Sequence, residues 1–375
     1  MILGVDAGRA VGHRTGVGRN VQHLLAAWAR EELPFELVRV FSPAPLDDVA
    51  EDARFRFEVL PGPRSELAWQ ALRLHRAAAD VDVLFGQYTL PPGWRGRGVV
   101  DNLGIYEGRF AIPGWRARGR SWHMAASARR ADRVIANSES TKADVVRFYR
   151  VDPARIVVVW PGAAREFRPA RPDDEDAIGA AVVRALGGRE RPYFLFVGKL
   201  SARRNVPALL EAFANVCGRH PEFGLLIVGP NTSSVPVESL VSRLALDGSV
   251  RHVPFLGVAE LALLYRGAHA FVLPTEHEGF SHTIPEAIAS GCPVVTVDHA
   301  ALGDAGLRES VLVLPVPSPR LLAVALERTI SEPGLRERLV RSGLEASKRL
   351  SWDATARATM DVLAQVASRP ATAGV

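Results

Sequence analysis

Cysteine is nearly absent: Cys217 and Cys292 are the only two in 375 residues, far apart and neither in a C-x-x-C pair. That excludes a disulfide scaffold and gives no thiolate metal cluster. No apolar run approaches the ~20 residues that a spanning helix needs. The opening MILGVDAGR is too short and too quickly polar for a signal peptide. The compartment expected from these features is the reducing cytoplasm. Low-complexity stretches and internal repeats are missing too, and with 47% hydrophobic and 23% charged residues the chain is neither disordered nor collagen-like. Its length exceeds the ~250–300 residues at which a single core stops growing, so two domains are expected.

Charge is uneven. Residues 1–200 carry an excess of six positive charges and residues 201–375 one negative, with most of the surplus in 101–150. A basic patch on one half suits an anionic partner, such as phosphate or lipid headgroups, or else merely solubilises the surface. No nucleic-acid recognition motif accompanies it, and nucleic acid is not expected as a partner.

Short apolar runs alternate with helix-period segments, the pattern of parallel α/β structure. Strands are expected at Ile2–Asp6, Phe35–Phe41, Val81–Phe85, Val99–Asp101, Arg133–Asn137 and Ile156–Trp160. Between the first two, Val21, Leu24, Leu25 and Trp28 share one helical face. Ser138 is placed to cap the helix that follows it. Residues 165–191, with prolines, the acidic run Asp173–Asp176 and a glycine pair, read as a connection. Alternation then resumes with strands at Tyr193–Val197, Leu225–Val228, Phe271–Pro274 and Pro293–Val297. The expected organisation is a Rossmann-like domain over 1–167, a linker over 168–190 and a second such domain over 191–350. A C-terminal helix over 351–368 would pack back on the first domain, and a frayed tail ends the chain at 369–375. The fold class is α/β, two tandem doubly wound domains, with ligands bound beyond the carboxyl ends of the strands in a cleft between them.

Three loops after strands carry chemistry. The first, Ala7 to Arg19, contains Gly16 and Gly18 before a helix, where glycines let backbone approach a ligand. Position 21 is valine, so the G-x-G-x-x-G fingerprint is incomplete, and no Walker sequence is present. In the second, Gly198 ends a strand, and Lys199, Arg203 and Arg204 crowd the start of the next helix, where cations oppose the helix dipole unless an anion joins them. The third, Pro274 to Gly291, holds Glu278 and Glu286 with seven residues between them. Pro285 suits the first helical position, with Glu286 in the first turn and Gly291 past the end. Backbone amides from Gly279 to Thr283 would face a phosphate. No third metal ligand is fixed by spacing, and His277 and His282 read as loop residues.

The runs FVGKLSARRN, LLIVGP, FLGVAELALLYRGA and PTEHEGFSHTIPEAIASGCPVV, with TGVGRN and ARRADRVIANSESTKADVV in the first half, together resemble the family 4 retaining glycosyltransferases of the GT-B fold. The resemblance covers roughly residues 1–365. It implies an acceptor-binding first domain, a donor-binding second domain and transfer of a sugar from a nucleotide-diphosphate sugar without a metal or other cofactor. By the resemblance, Glu278 meets hydroxyls of the transferred sugar, Glu286 meets the ribose, and Lys199 and Arg204 hold the diphosphate. Gly16, Gly18, Gly198, Gly279, Phe280, Ser281, His282 and Thr283 would complete the donor site. Many members have a His-Asp pair where this chain has Asp101 and Asn102, so Asp101 is the residue expected to position an acceptor hydroxyl. Ser281-His282-Thr283 stands where Gly-Leu-Pro is frequent. TGVGRN resembles mannosyltransferase-like members and tilts the donor toward GDP-mannose. The acceptor would be a glycan, a lipid-linked or a small molecule. The stretch Arg109–Arg130, with Trp115 and Trp122, suits peripheral contact with an anionic inner membrane face. Competing readings are a GT-B sugar-nucleotide epimerase or hydrolase, and a non-catalytic sugar-nucleotide-binding protein.

Overall fold

The computed structural model describes residues 1–12, 16–47, 52–105, 115–231 and 235–369. Two compact units emerge, Met1–Pro161 together with Trp352–Val375, and Gly162–Ser351.

The first unit is built on a seven-stranded parallel sheet: β1 (Ile2–Asp6), β2 (Leu37–Ser42), β3 (Phe55–Val59), β4 (Val83–Gln87), β5 (Gly98–Asn102), β6 (Arg133–Ala136) and β7 (Ile156–Val158). Their order is β3-β2-β1-β4-β5-β6-β7, so the chain winds outward from β1 and then crosses over to β4. Central strands are buried along their length, as continuous apolar runs covered on both faces require. The helix Gly16–Trp28 buries Val21, Leu24, Leu25 and Trp28, the face its periodicity predicts. Against it lies the C-terminal helix Trp352–Ala367. The Trp28 indole donates to the Ala356 carbonyl at 3.0 Å, and the His23 and Trp352 rings stack 4.7 Å apart. Ser138 caps the helix beginning at Glu139, its Oγ accepting from the Thr141 amide at 3.0 Å.

The second unit carries six parallel strands: β8 (Tyr193–Val197), β9 (Gly224–Val228), β10 (Val250–Val253), β11 (Ala270–Leu273), β12 (Val294–Val297) and β13 (Leu312–Leu314), ordered β10-β9-β8-β11-β12-β13. Residues 168–190, expected as a linker, lie inside this unit. The helix Glu175–Ala185 packs on the helix Val258–Gly267, where Gly267 leaves room for Ile178 and Val182. Arg168 holds Asp174 through two hydrogen bonds of 2.6 and 2.9 Å, and Arg266 donates to the Arg168 carbonyl. The prolines and acids that read as a connection therefore cap and pin a helix.

In a doubly wound sheet the strand order reverses at one point, and loops diverge there to leave a crevice. In the second unit that point lies between β8 and β11, the strands feeding the second and third chemistry-bearing loops. In the first unit it lies between β1 and β4.

Candidate functional site

In the second unit, Gly198 leaves β8 at φ +148, a conformation that side-chain-bearing residues rarely adopt. A Cβ there would stand 1.5 Å from the Arg204 Nη1, so the guanidinium occupies the space that a side chain would need. Asn205, in the left-handed region at φ +48, starts the helix Val206–Cys217. Its side-chain amide donates to the carbonyls of Arg203 and Pro274 at 3.2 and 3.0 Å. The Thr275 hydroxyl lies 3.3 Å from the Arg203 carbonyl. These bonds clamp the loop after β8 to the loop after β11.

That clamp brings Glu278 between two guanidiniums. Its Oε1 lies 2.8 Å from Arg203 Nη1 and 3.1 Å from Arg204 Nη2, and its side chain is 3% exposed. Burial alone would raise the Glu278 pKa; the charges of Arg204 and Arg203 outweigh it and hold the carboxyl below its ordinary range. Arg203 also donates to the His277 carbonyl at 2.9 Å. Lys199, which the sequence paired with Arg204, is exposed, while Arg203 joins Arg204 at the buried acid. The two adjacent arginines were visible in the sequence. Their convergence on Glu278 was not, because it depends on the turn at Ala202–Arg204.

Glu286 is buried and accepts from the Tyr265 hydroxyl at 3.4 Å. Its helix runs Thr283–Ala289, so Pro285 occupies the third helical position instead of the first, and Glu286 stays in the first turn. Gly291 follows the end at φ +72, and the Cys292 amide reaches back to the Ala287 carbonyl at 2.9 Å, an αL stop. Ahead of the helix, Gly279, Phe280 and Ser281 are buried, and the Phe280 and His282 rings meet edge to face at 6.5 Å. Ser281 and Thr283 hydroxyls share a 2.9 Å hydrogen bond, a local link that Gly-Leu-Pro could not make. Among the described residues no three His, Cys, Asp or Glu side chains converge as metal ligands.

In the first unit, residues 13–15 of the glycine loop lie outside the described residues; Gly16 opens the helix. Gly18 has a packing reason to be glycine, since a Cβ would fall 2.4 Å from the Arg9 carbonyl oxygen. Two turns of this helix are tied to the sheet rim. Gln87 donates to the Val17 carbonyl at 3.0 Å, and the Asn20 amide donates to the Asp101 carboxylate. Asp101 is 4% exposed, and burial pushes its pKa up to about 7, with the Asn20 hydrogen bond opposing. At the end of β1, Asp6 is pushed up to about 6 by burial, against hydrogen bonds from Gly8 and Gln70. Gln70 links Asp6, at 2.7 Å, to Thr89, at 2.9 Å, across the switch point. Tyr88, just after β4, sits at φ +62 with the Arg9 guanidinium 5.0 Å from its ring centre. Backbone strain of this kind is costly, about 1–3 kcal/mol, and tends to be kept where a site needs it. Asp6 and Asn20 were not singled out from sequence; Asp6 was findable as the acid that closes the strand at the switch point.

Residues 14–167 match the profile of Glycosyltransferase Family 4, and residues 185–345 match that of Glycosyl transferases group 1. A D-inositol 3-phosphate glycosyltransferase of Salinispora arenicola is 30% identical over 81% of this chain and 74% of its own. The chain belongs to glycosyltransferase family 4. A protein of the same description from Streptomyces bingchenggensis is 32% identical over 71% of this chain and 59% of its own, so the match spans little more than half of that relative. Among solved structures, sucrose-phosphate synthase of Thermosynechococcus elongatus aligns with TM-score 0.79 at 20% identity, covering 98% of this chain and 99% of that one. HepE of Anabaena in complex with UDP-glucose aligns with TM-score 0.76 at 16% identity, over 97% and 100%. The paired parallel sheets are those of the GT-B fold. GDP-mannose, toward which TGVGRN tilted the expectation, finds no support among these relatives.

Proposed function

We propose that this family 4 chain is a retaining glycosyltransferase that takes a sugar from a nucleoside-diphosphate donor, a UDP-sugar by preference, and delivers it to a hydroxyl acceptor. The observation that carries the reading is the meeting of Arg203, Arg204 and buried Glu278 at the switch point of the second sheet. The reaction's difficulty is the departure of a diphosphate from a carbon gaining oxocarbenium character. Fixed cations at that diphosphate lower the barrier, and losing one such preorganised group typically costs ~10²–10³ in rate. Arg204 and Lys199 serve as the diphosphate cations, with Arg203 as a third held ready by Glu278. Glu278 accepts hydrogen bonds from the sugar and Glu286 from the ribose. Amides and side chains from Gly279 to Thr283, with Gly198, line the donor.

Asp101 takes the place at which many family members carry histidine. A carboxyl with a pKa near 7 can hold or release a proton at working pH, which suits it to orient an acceptor hydroxyl. UDP is favoured because HepE was solved with UDP-glucose. The relatives' description makes an inositol phosphate the first acceptor to try. The test is incubation with UDP-sugars and a panel of inositol phosphates, hexoses and lipid-linked sugars, with the anomeric configuration of the product read by NMR. A product of retained configuration is expected. Inverted product overturns the mechanism, donor consumption without acceptor points to an epimerase or hydrolase, and binding without turnover to a sugar-nucleotide-binding protein.

The membrane reading rests on the helix Trp115–Arg130, where Trp122 is 70% exposed. Residues 106–114 and the side chains of 115–118 lie outside the described residues. An exposed tryptophan among arginines favours a headgroup interface. Co-sedimentation with vesicles containing anionic lipid, lost in Trp122→Ala and absent with neutral vesicles, is the expected outcome.

A further inference from the structure

His299 is 7% exposed, yet neither ring nitrogen has a hydrogen-bond partner. An unused buried donor or acceptor costs about 1–3 kcal/mol, so such a ring is retained at a cost unless something outside the chain uses it. The neighbouring acids are engaged elsewhere. Asp298 is held by Arg308 at 2.8–2.9 Å, and Glu278 by Arg203 and Arg204. β12 pairs with β11 in parallel register, Leu273 beside Thr296. Glu278 and His299 therefore rise from adjacent strands at the same carboxyl rim, close enough for the Glu278 charge to act on the ring.

The ring's chemistry narrows what it meets. Burial lowers the His299 pKa, and the opposing pull of Glu278 does not restore it, so the ring is neutral at pH 7, with one N–H donor and one bare nitrogen acceptor. A phosphate offers only acceptors and would sit against the Glu278 carboxylate. A sugar hydroxyl both donates and accepts, and can satisfy either nitrogen.

We infer that His299 is a specificity-determining residue of the donor half, reading hydroxyls of the transferred sugar through both ring nitrogens. This rests on the donor reading above. It assigns sugar selection to a loop outside the Glu-x7-Glu segment, and it predicts a donor with free hydroxyls on the face that His299 contacts. A deoxy sugar at that position leaves the ring as unsatisfied as it is in the free protein.

The experiment is calorimetric titration of the full chain with UDP-glucose, its single-deoxy analogues and UDP alone, with the pairs dTDP-glucose/dTDP, ADP-glucose/ADP and GDP-mannose/GDP as parallel arms. In His299→Ala, Kd for the nucleotide sugar should rise about tenfold, the worth of one to two neutral hydrogen bonds. Kd for the free diphosphate should stay unchanged. The wild type should discriminate against one or two of the deoxy analogues, and the alanine variant should not. His299→Gln, which keeps a donor and an acceptor, should recover most of the loss. Equal weakening of sugar nucleotide and free diphosphate would mean a purely structural ring, and no change in either would mean an idle one; both overturn the inference and leave the donor site standing. A wild type that binds none of these nucleotides overturns the donor reading itself.

Discussion

Replacing Glu278 by glutamine keeps the shape of the side chain and removes only its charge. In the folded chain that carboxylate is 3% exposed and touches Arg203, 25% exposed, and Arg204, 13% exposed. Breaking a buried ion pair by deleting one partner costs about 3–5 kcal/mol, because the surviving charge stays buried and unpaired. Arg203 retains contact with solvent, so the lower end, about 3 kcal/mol, is expected. For a unit of this size each kcal/mol moves Tm by roughly 2–4 °C, so the variant should melt about 6–12 °C lower. Activity and binding should then separate. Turnover should fall by ~10²–10³ as the sugar loses its acceptor and the cations lose their alignment. Free UDP should bind at least as tightly as to the wild type, since two guanidiniums are released toward the diphosphate. Scanning calorimetry, steady-state rates and UDP titration read the three quantities. A Tm within a degree of the wild type would refute the ion-pair argument, and undiminished turnover would refute the assignment of Glu278.

Gly198→Ala should cost about 1–3 kcal/mol from the strained φ and displace the Arg204 guanidinium that its Cβ would strike; denaturant melts and weaker diphosphate affinity check it, and unchanged affinity argues against the seat. Asp101→Asn tests the raised carboxyl. Its folded pKa, about 7, lies above the ordinary 3.8, so from pH ~4 to ~7 the folded chain keeps a proton that the unfolded chain has released. Stability therefore falls as pH rises through that window, by on the order of 4 kcal/mol at 1.36 kcal/mol per unit. The asparagine variant should escape this fall, matching the wild type near pH 4 and exceeding it at pH 8; parallel urea-melt curves across that range would contradict the burial argument. Deleting residues 352–369 removes the helix on which Trp28 and His23 rest. It should unfold the first unit while the melting transition of the second persists, and two intact transitions would contradict that dependence.

Strands that are buried on both faces were legible. Ile2–Asp6 and Tyr193–Val197 match residue for residue, because a short apolar run between turn residues has few other uses. The edge strands Phe55–Val59, Val250–Val253 and Leu312–Leu314 were not singled out: charged residues dilute the apolar signal in the first two, and the third is only three residues long. Of the site, loop chemistry was readable and geometry was not. Gly198, Arg204, Glu278 and Glu286 stand out by residue type and spacing. That Arg203 meets Glu278 where Lys199 does not depends on one tight turn and on Asn205 in the left-handed region. His299 gave no signal, since a lone histidine after a strand reads as ordinary core. Its meaning comes from two unused nitrogens that only a folded neighbourhood defines.

Calorimetric titration of UDP-glucose and the other nucleotide sugars into the full chain, beside an Arg203→Ala/Arg204→Ala variant, puts the donor assignment to its most direct test. Saturable binding of at least one sugar nucleotide by the wild type, weakened a hundredfold or more in the double variant at two charge-assisted contacts of about 1.5–3 kcal/mol each, is the predicted result. Binding that survives the loss of both arginines, or no binding by the wild type at all, would contradict it.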